Sequence, residues 1–334
     1  MRFPGSNELD FLRLILATSV VFQHAHLAGA KTYLPWVEKI PAVPLFILIS
    51  GLLVTESYFN STSLLAYIQK RIRRIVPAYV VVVLLGGILL WILGAILSLQ
   101  GSGSVLQLAC YYFYNLMFLN FVQPCVFSAS GFENIKYCAV NGSLWTIKFE
   151  LLFYLILPSV LVFAKRLPRI FCLAASLTLL SCLMLISSIY LTIFICFIAG
   201  ALLSVAKECW LPKLMKLEIP SIVRVALVFM VAISAGAFLP LPLAAVALLI
   251  ASFIGTKNPL RDLNFLRYGD LSYGIYLVHY PLIQIFRFLD LTSIMPGIFL
   301  APFVTVLSGF IATLLYRHVE VKYLMSGSHY KPSV

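Results

Sequence analysis

The chain has 334 residues, 62% of them hydrophobic and 11% charged, with a formal net charge of +12 and a mean hydropathy of +1.01. A soluble domain is nearer half apolar and a quarter charged, so this composition excludes one and predicts an all-α integral membrane protein. Lys and Arg gather in short clusters between apolar segments, not in a basic domain or an aromatic-basic platform; that excludes nucleic acid as a partner and leaves the lipid bilayer as the surroundings.

Apolar runs predict about ten transmembrane helices, at 10–29, 41–58, 76–98, 143–164, 169–187, 189–206, 221–236, 238–254, 271–289 and 296–316. Each is close to the roughly 20 residues that a bilayer requires. Spans and short connections use almost all of residues 1–334, which therefore read as a single membrane domain with a core over about 5–325. The start MRFPGSNELD is polar, and no small-residue cleavage site follows the first helix, so that helix reads as retained.

The connections alternate in charge. One set carries Lys70, Arg71, Arg73 and Arg74, then Lys165, Arg166 and Arg169, then Lys207, Lys213, Lys216 and Arg224, then Lys257, Arg261 and Arg267, with Arg317 and Lys322 in the tail; the other carries only Lys31, Lys39 and Lys136. The positive-inside rule places the first set and both termini in the cytoplasm, provided that the apolar stretch Val105 to Val122 does not cross. That stretch is therefore expected as a re-entrant or interfacial helix. No internal repeat is evident, which weakens the case for an inverted-repeat transporter.

The chemistry starts in the first helix, which holds Arg13 and His24 among apolar residues. An ionisable group at membrane depth is costly and commonly marks a substrate or proton path. Snorkelling of Arg13 to the headgroups is the competing reading. The two lie about 16 Å apart along one helix. Glu150 begins the fourth crossing in NGSLWTIKFE, roughly 10 Å below the surface by helical rise, which predicts the same depth as His24 and a His24–Glu150 pair acting as general base. Ser50-Gly51 in mid-membrane permits close backbone approach, by a neighbouring helix or by a thin ligand. The ninth crossing places His279 in mid-membrane, flanked by Tyr276, Tyr280 and Pro281. Arg71, Arg73 and Arg74 form a cationic edge that serves either as anchoring or as a phosphate-binding group.

Seven cysteines are scattered without a CxxC pair or a histidine at metal-ligand spacing, so no metal site is expected. Cys125 and Cys138 bracket one polar loop. They are either a disulfide or two buried thiols.

Taken in order, these motifs resemble acyltransferase family three, multi-pass membrane enzymes that modify carbohydrates. Arg13 and His24 match its Arg-x10-His signature, and Arg71 and Arg74 match its Arg-x-x-Arg motif, followed by Pro77 and Tyr79. Asn141 to Trp145 with Glu150, Phe153 and Tyr154 resembles its NGxLWxxxxE block, and Ser272-Tyr273 through His279 and Pro281 its SYxxYLxH helix. Phe46 with Ser50-Gly51 resembles its Phe-x-x-Ser-Gly motif with one residue more between. The resemblance is to the standalone form, similar to O-antigen O-acetyltransferases.

The resemblance implies a bacterial inner-membrane O-acetyltransferase with no permanently bound cofactor, acetyl-CoA or another acyl-CoA as donor substrate, and a lipid-linked or polysaccharide glycan such as the O-antigen of lipopolysaccharide as acceptor. It assigns catalysis to His24, Glu150 and Arg13, coenzyme contacts to Arg71, Arg74, Arg73, Ser50 and Gly51, and acceptor contacts to Trp145, His279 and Tyr276. A transporter or acyl-group carrier using Arg13, His24 and Glu150 as a relay is the alternative.

Overall fold

The computed structural model describes residues 7–27, 40–96, 105–119, 140–217, 271–289 and 297–325, with a few isolated positions between 219 and 247 and at 291. Every regular element among them is helical. In chain order these are α1 (Asn7–Leu27), α2 (Ala42–Phe59), α3 (Leu64–Ile96), α4 (Val105–Leu116), a 3-10 turn (Gly142–Thr146) leading into α5 (Ile147–Ala164), α6 (Arg169–Cys182), α7 (Ile189–Val205), α8 (Lys207–Met215), α9 (Ser272–Phe288), α10 (Gly297–Leu315), a π-turn (Tyr316–Glu320) and α11 (Val321–Met325).

Four described segments are long and apolar enough to cross a bilayer: Ala42–Phe59, Leu64–Leu89, Gly142–Ala164 and Phe299–Leu324. A fifth is added if Ile189–Val205 and Lys207–Leu214, bent by 76° at their junction, form one span. α5 shows why such segments suit lipid. Phe153, Tyr154, Leu157 and Leu161 are buried, while Leu152, Leu155, Val162 and Phe163 on the other side are exposed. A helix apolar all round has no face for water, so the exposed side is one that acyl chains cover. α1 is not among the four by composition, because Glu8, Asp10, Arg13, Gln23, His24 and His26 make it polar.

The expected spans at 221–236 and 238–254, and the Cys125–Cys138 loop, lie outside the described residues or nearly so. α4 covers the described part of the expected re-entrant stretch. Its twelve residues reach roughly 18 Å, short of the 30 Å hydrocarbon core. It lies against α3, where the Tyr79 hydroxyl donates to the Asn115 carbonyl (2.7 Å) and the Tyr112 hydroxyl to that of Leu84 (2.9 Å).

Two packing units meet at α1. α2, α3, α5 and α7 share one apolar core, and α1 joins α9 and α10 in a second. The tightest crossing is α2 on α7, and glycine makes it possible. A Cβ on Gly51 would lie 2.2 Å from the Phe197 carbonyl oxygen, and one on Gly200 would lie 2.1 Å from that of Leu48. Two backbones this close leave no space for a third molecule. Gly51 is thus taken up by helix packing, and the expected coenzyme contact there is not found.

Candidate active site

The first three turns of α9 build one wall of the site. Tyr273, Tyr276 and Tyr280, with His279 beside the last, recur at helical spacing and so share a face. The Tyr276 hydroxyl bonds the Thr146 hydroxyl (2.8 Å) and the Ser143 carbonyl (2.8 Å), and the Tyr273 hydroxyl donates to the Ile75 carbonyl (2.9 Å). Tyr276 thus ties α9 to the turn before α5, and Tyr273 ties it to α3.

His279 is fully buried and faces α1. Its Nε2 lies 2.8 Å from Nδ1 of His24, 255 residues earlier, and its Nδ1 lies 3.0 Å from the Ile275 carbonyl. The ring planes are within 13° of each other. A carbonyl only accepts, so His279 Nδ1 carries a proton and donates. In the neutral imidazole Nε2 then accepts, and the hydrogen-bond network assigns the shared proton to His24 Nδ1. The lone pair of His24 therefore lies on Nε2. One backbone carbonyl thus fixes the tautomer of two histidines.

Glu150 is not the partner of His24, contrary to the expectation from sequence. Its Oε1 accepts from the Tyr154 hydroxyl and from Ser50 Oγ (3.4 Å). The depth argument failed because it took the start of the fourth crossing as the membrane surface. Instead Asn141 donates to the Leu277 carbonyl (2.7 Å) and Ser143 Oγ to that of Tyr276 (3.0 Å), so the 3-10 turn docks halfway along α9. From Ser143 the chain then runs roughly 12 Å further to Glu150, away from the histidines. Glu150 ends near Tyr273 and Arg13.

A narrow cleft with about 30 Å3 of space, room for about two waters, opens beside them, and Arg13, Val20, Phe46, Thr146, Glu150, Tyr273 and Tyr276 are among its walls. Its walls have the make-up of a small-molecule site, mostly apolar with a few polar groups. The guanidinium of Arg13 stacks 5.0 Å above the Phe46 ring, which lets a cation sit against an apolar wall. Val20 is one helical turn before His24 on α1, so the cleft runs from the Arg13 end towards the histidine pair.

The basic residues gather at the Arg13 end. Arg71 donates to Ser57 Oγ (2.9 Å) and lies over the Tyr154 ring (6.0 Å), while its Nε is buried with no hydrogen-bond partner among the described residues. Arg74 is ion-paired with Glu320, which the π-turn at the end of α10 carries into the protein to 1% exposure. The guanidinium of Arg74 also lies over the ring of Tyr273 (5.7 Å), which lines the cleft. Arg73 is half-buried. Lys207 pairs with Glu56 at the same end.

Trp145, the expected acceptor contact, sits beside α5 and α7. It packs edge-on with Phe149 and Tyr190, in each case at 6.0 Å. Residue spacing did not disclose the His24–His279 contact or the role of Tyr273, whereas the four-residue spacing of Glu150 and Tyr154 on one helix is a signal for their bond. Glu320 did leave a signal, as a lone carboxylate closing an apolar helix.

The arrangement is a half-buried His24 bonded to a buried His279 one helical turn beyond the cleft wall, with clustered cations at the cleft's other end, among helices apolar enough to cross a membrane. The chain belongs to family three of the acyltransferases: it matches that acyltransferase domain over residues 6–317. It is therefore a membrane acyltransferase. It is similar to nodulation protein 10 of Rhizobium leguminosarum bv. viciae, with 30% identity over 306 residues and 82% of each chain covered. It is also similar to an O-acetyl transferase of Shigella phage Sf6, with 26% identity over 339 residues and 97% of each chain covered. No solved structure matches it.

Proposed function

We propose that this acyltransferase moves an acetyl group from acetyl-CoA to a hydroxyl of a cell-surface or lipid-linked glycan such as O-antigen. The observation that carries the reading is the pair of hydrogen bonds from the Ile275 carbonyl through His279 to His24, which leaves His24 Nε2 as a positioned base. The printed name of the phage relative supports an O-linked acetyl product.

The donor enters from the basic end. Arg71 and Arg74 hold the phosphates of the nucleotide, with the bidentate guanidinium suited to the task. Arg74 must exchange Glu320 for phosphate, and the Nε of Arg71, unpartnered among the described residues, is a donor already in place. The pantetheine arm lies along the cleft past Arg13 and Glu150, which offer a donor and an acceptor to its amides. His24 Nε2 takes the proton of the acceptor hydroxyl as its oxygen attacks the thioester carbonyl. A C–O bond forms and the C–S bond breaks. The proton then passes from the His24 imidazolium to the leaving sulfur. His279 stabilises that imidazolium through the bond it already makes. In this reading both chain termini and the basic end face the cytoplasm of a bacterial inner membrane, and the acceptor arrives at the His24 end.

Reconstituted protein supplied with acetyl-labelled coenzyme A and a lipid-linked oligosaccharide tests this reading. Label in ester linkage to the glycan supports it. Label that crosses the vesicle membrane without forming an ester returns the chain to the carrier reading.

A further inference from the structure

Tyr280 is the last of the tyrosines on the α9 face. It is half-buried, whereas positions 272–279 are buried throughout. Its ring meets the His24 ring edge-on, with centroids 5.0 Å apart at 79°, and lies 6.4 Å from that of His279. The far end of the ring rests on Gly142. A Cβ built there would meet Cζ at 2.6 Å, Cε2 at 2.7 Å and Oη at 2.8 Å. Absence of a side chain at Gly142 thus makes the berth in which the tyrosine lies.

The berth is rigid. Gly142 sits between Asn141 and Ser143, both anchored to carbonyls of α9, the helix that carries Tyr280. His24 therefore has aromatic rings on two sides, His279 stacked and Tyr280 edge-on, and remains half-buried. The cleft wall ends at Val20, one helical turn before it.

This placement bears on a selectivity problem. If His24 is the base, it deprotonates water as readily as a sugar hydroxyl. With a sugar the products are an ester and free thiol; with water they are acetate and free thiol. The bonds made and broken at the carbonyl are the same, and the proton takes the same path through His24 to sulfur. Only access decides between them. We propose that Tyr280 is the specificity-determining residue that keeps water from the acyl donor, its ring covering His24 until an acceptor displaces it. This inference rests on the reading of His24 as the transfer base.

Two measurements on the full-length protein in vesicles test it. The first compares thiol release without acceptor to acyl transfer with acceptor. Tyr280→Ala is expected to raise that ratio at least about tenfold, while Tyr280→Phe, which keeps the ring, holds it within about threefold. A ratio unchanged in Tyr280→Ala overturns the proposal, as does joint loss of both activities in a correctly inserted variant. Tyr280→Leu keeps an apolar side chain in the helix and replaces the alanine variant if that one does not insert.

The second measurement needs no catalysis. A His24→Cys protein is treated with a water-soluble maleimide and the labelled peptide is quantified. Adding Tyr280→Ala should speed labelling at position 24 at least about tenfold, because the covering ring is gone. Equal rates overturn the proposal. If the unmodified enzyme neither transfers acetyl nor releases thiol, the donor reading fails, and the labelling rates still judge Tyr280.

Discussion

Replacement of His279 is the perturbation whose size follows most directly from the geometry. His279 Nε2 accepts from His24 Nδ1 at 2.8 Å, and its other nitrogen is fixed by the Ile275 carbonyl. His279→Leu removes the acceptor at a fully buried position. His24 then has nothing to hold its tautomer, and the imidazolium formed on proton transfer loses a charge-assisted hydrogen bond. Such a bond contributes about 1.5–3 kcal/mol. At 1.36 kcal/mol per decade, kcat should fall about 10- to 150-fold. The bond strengthens as charge develops, so the loss belongs to kcat while the donor KM changes little. His279→Gln places an amide oxygen where Nε2 was and should recover most of the rate. The assay is steady-state acetyl transfer in vesicles with donor concentration varied. A His279→Leu protein that inserts normally and turns over within twofold of wild type would refute the relay.

Other consequences reach the packing and the basic end. Gly200→Ala should destabilise the bundle by about 1–3 kcal/mol, because its Cβ meets backbone rather than a movable side chain. Gly309→Ala on α10, with none of the described residues within 4 Å of its Cβ, should not; thermal melts of both in one detergent compare them. Glu320→Ala leaves Arg74 without its buried partner and should cost about 3–5 kcal/mol. The double variant Arg74→Met with Glu320→Leu should regain stability yet still bind donor poorly, and equal donor binding in that variant would reduce Arg74 to a structural role. Cysteines placed at Ser102 and Ser130 should label from the same side of the membrane, because a crossing at Val105 to Val122 would invert the charge of every later loop.

The helical class and the residue types of the site were legible in sequence because lipid imposes them. Backbone satisfaction demands helices, and the cost of burying charge makes Arg13, His24, Glu150 and Glu320 conspicuous. Which of these meet was not legible. The expected His24–Glu150 pair came from counting residues inward from a presumed surface, and the 3-10 turn at Gly142–Thr146 docks inside the bundle instead. His24 and His279 meet because α1 packs directly on α9, a tertiary fact with no periodic trace. Gly51 offered two readings, close helix approach or ligand contact. The matching glycine on α7 that decides between them lies 149 residues further on, at Gly200. Arg74 read only as part of a cationic edge, because its counter-charge depends on a π-turn that carries Glu320 inward.

The central claim is that His24 moves the proton from acceptor to donor sulfur, and His24→Ala tests it most directly. Wild-type and His24→Ala proteins are reconstituted at equal density and orientation, with labelled acetyl-CoA on the basic side and oligosaccharide acceptor present. The account predicts esterified label from the wild type, and a loss of at least about a hundredfold in the variant, the scale of general base catalysis, with donor binding retained at Arg71 and Arg74. Transfer at near wild-type rate by a well-inserted His24→Ala protein would contradict it.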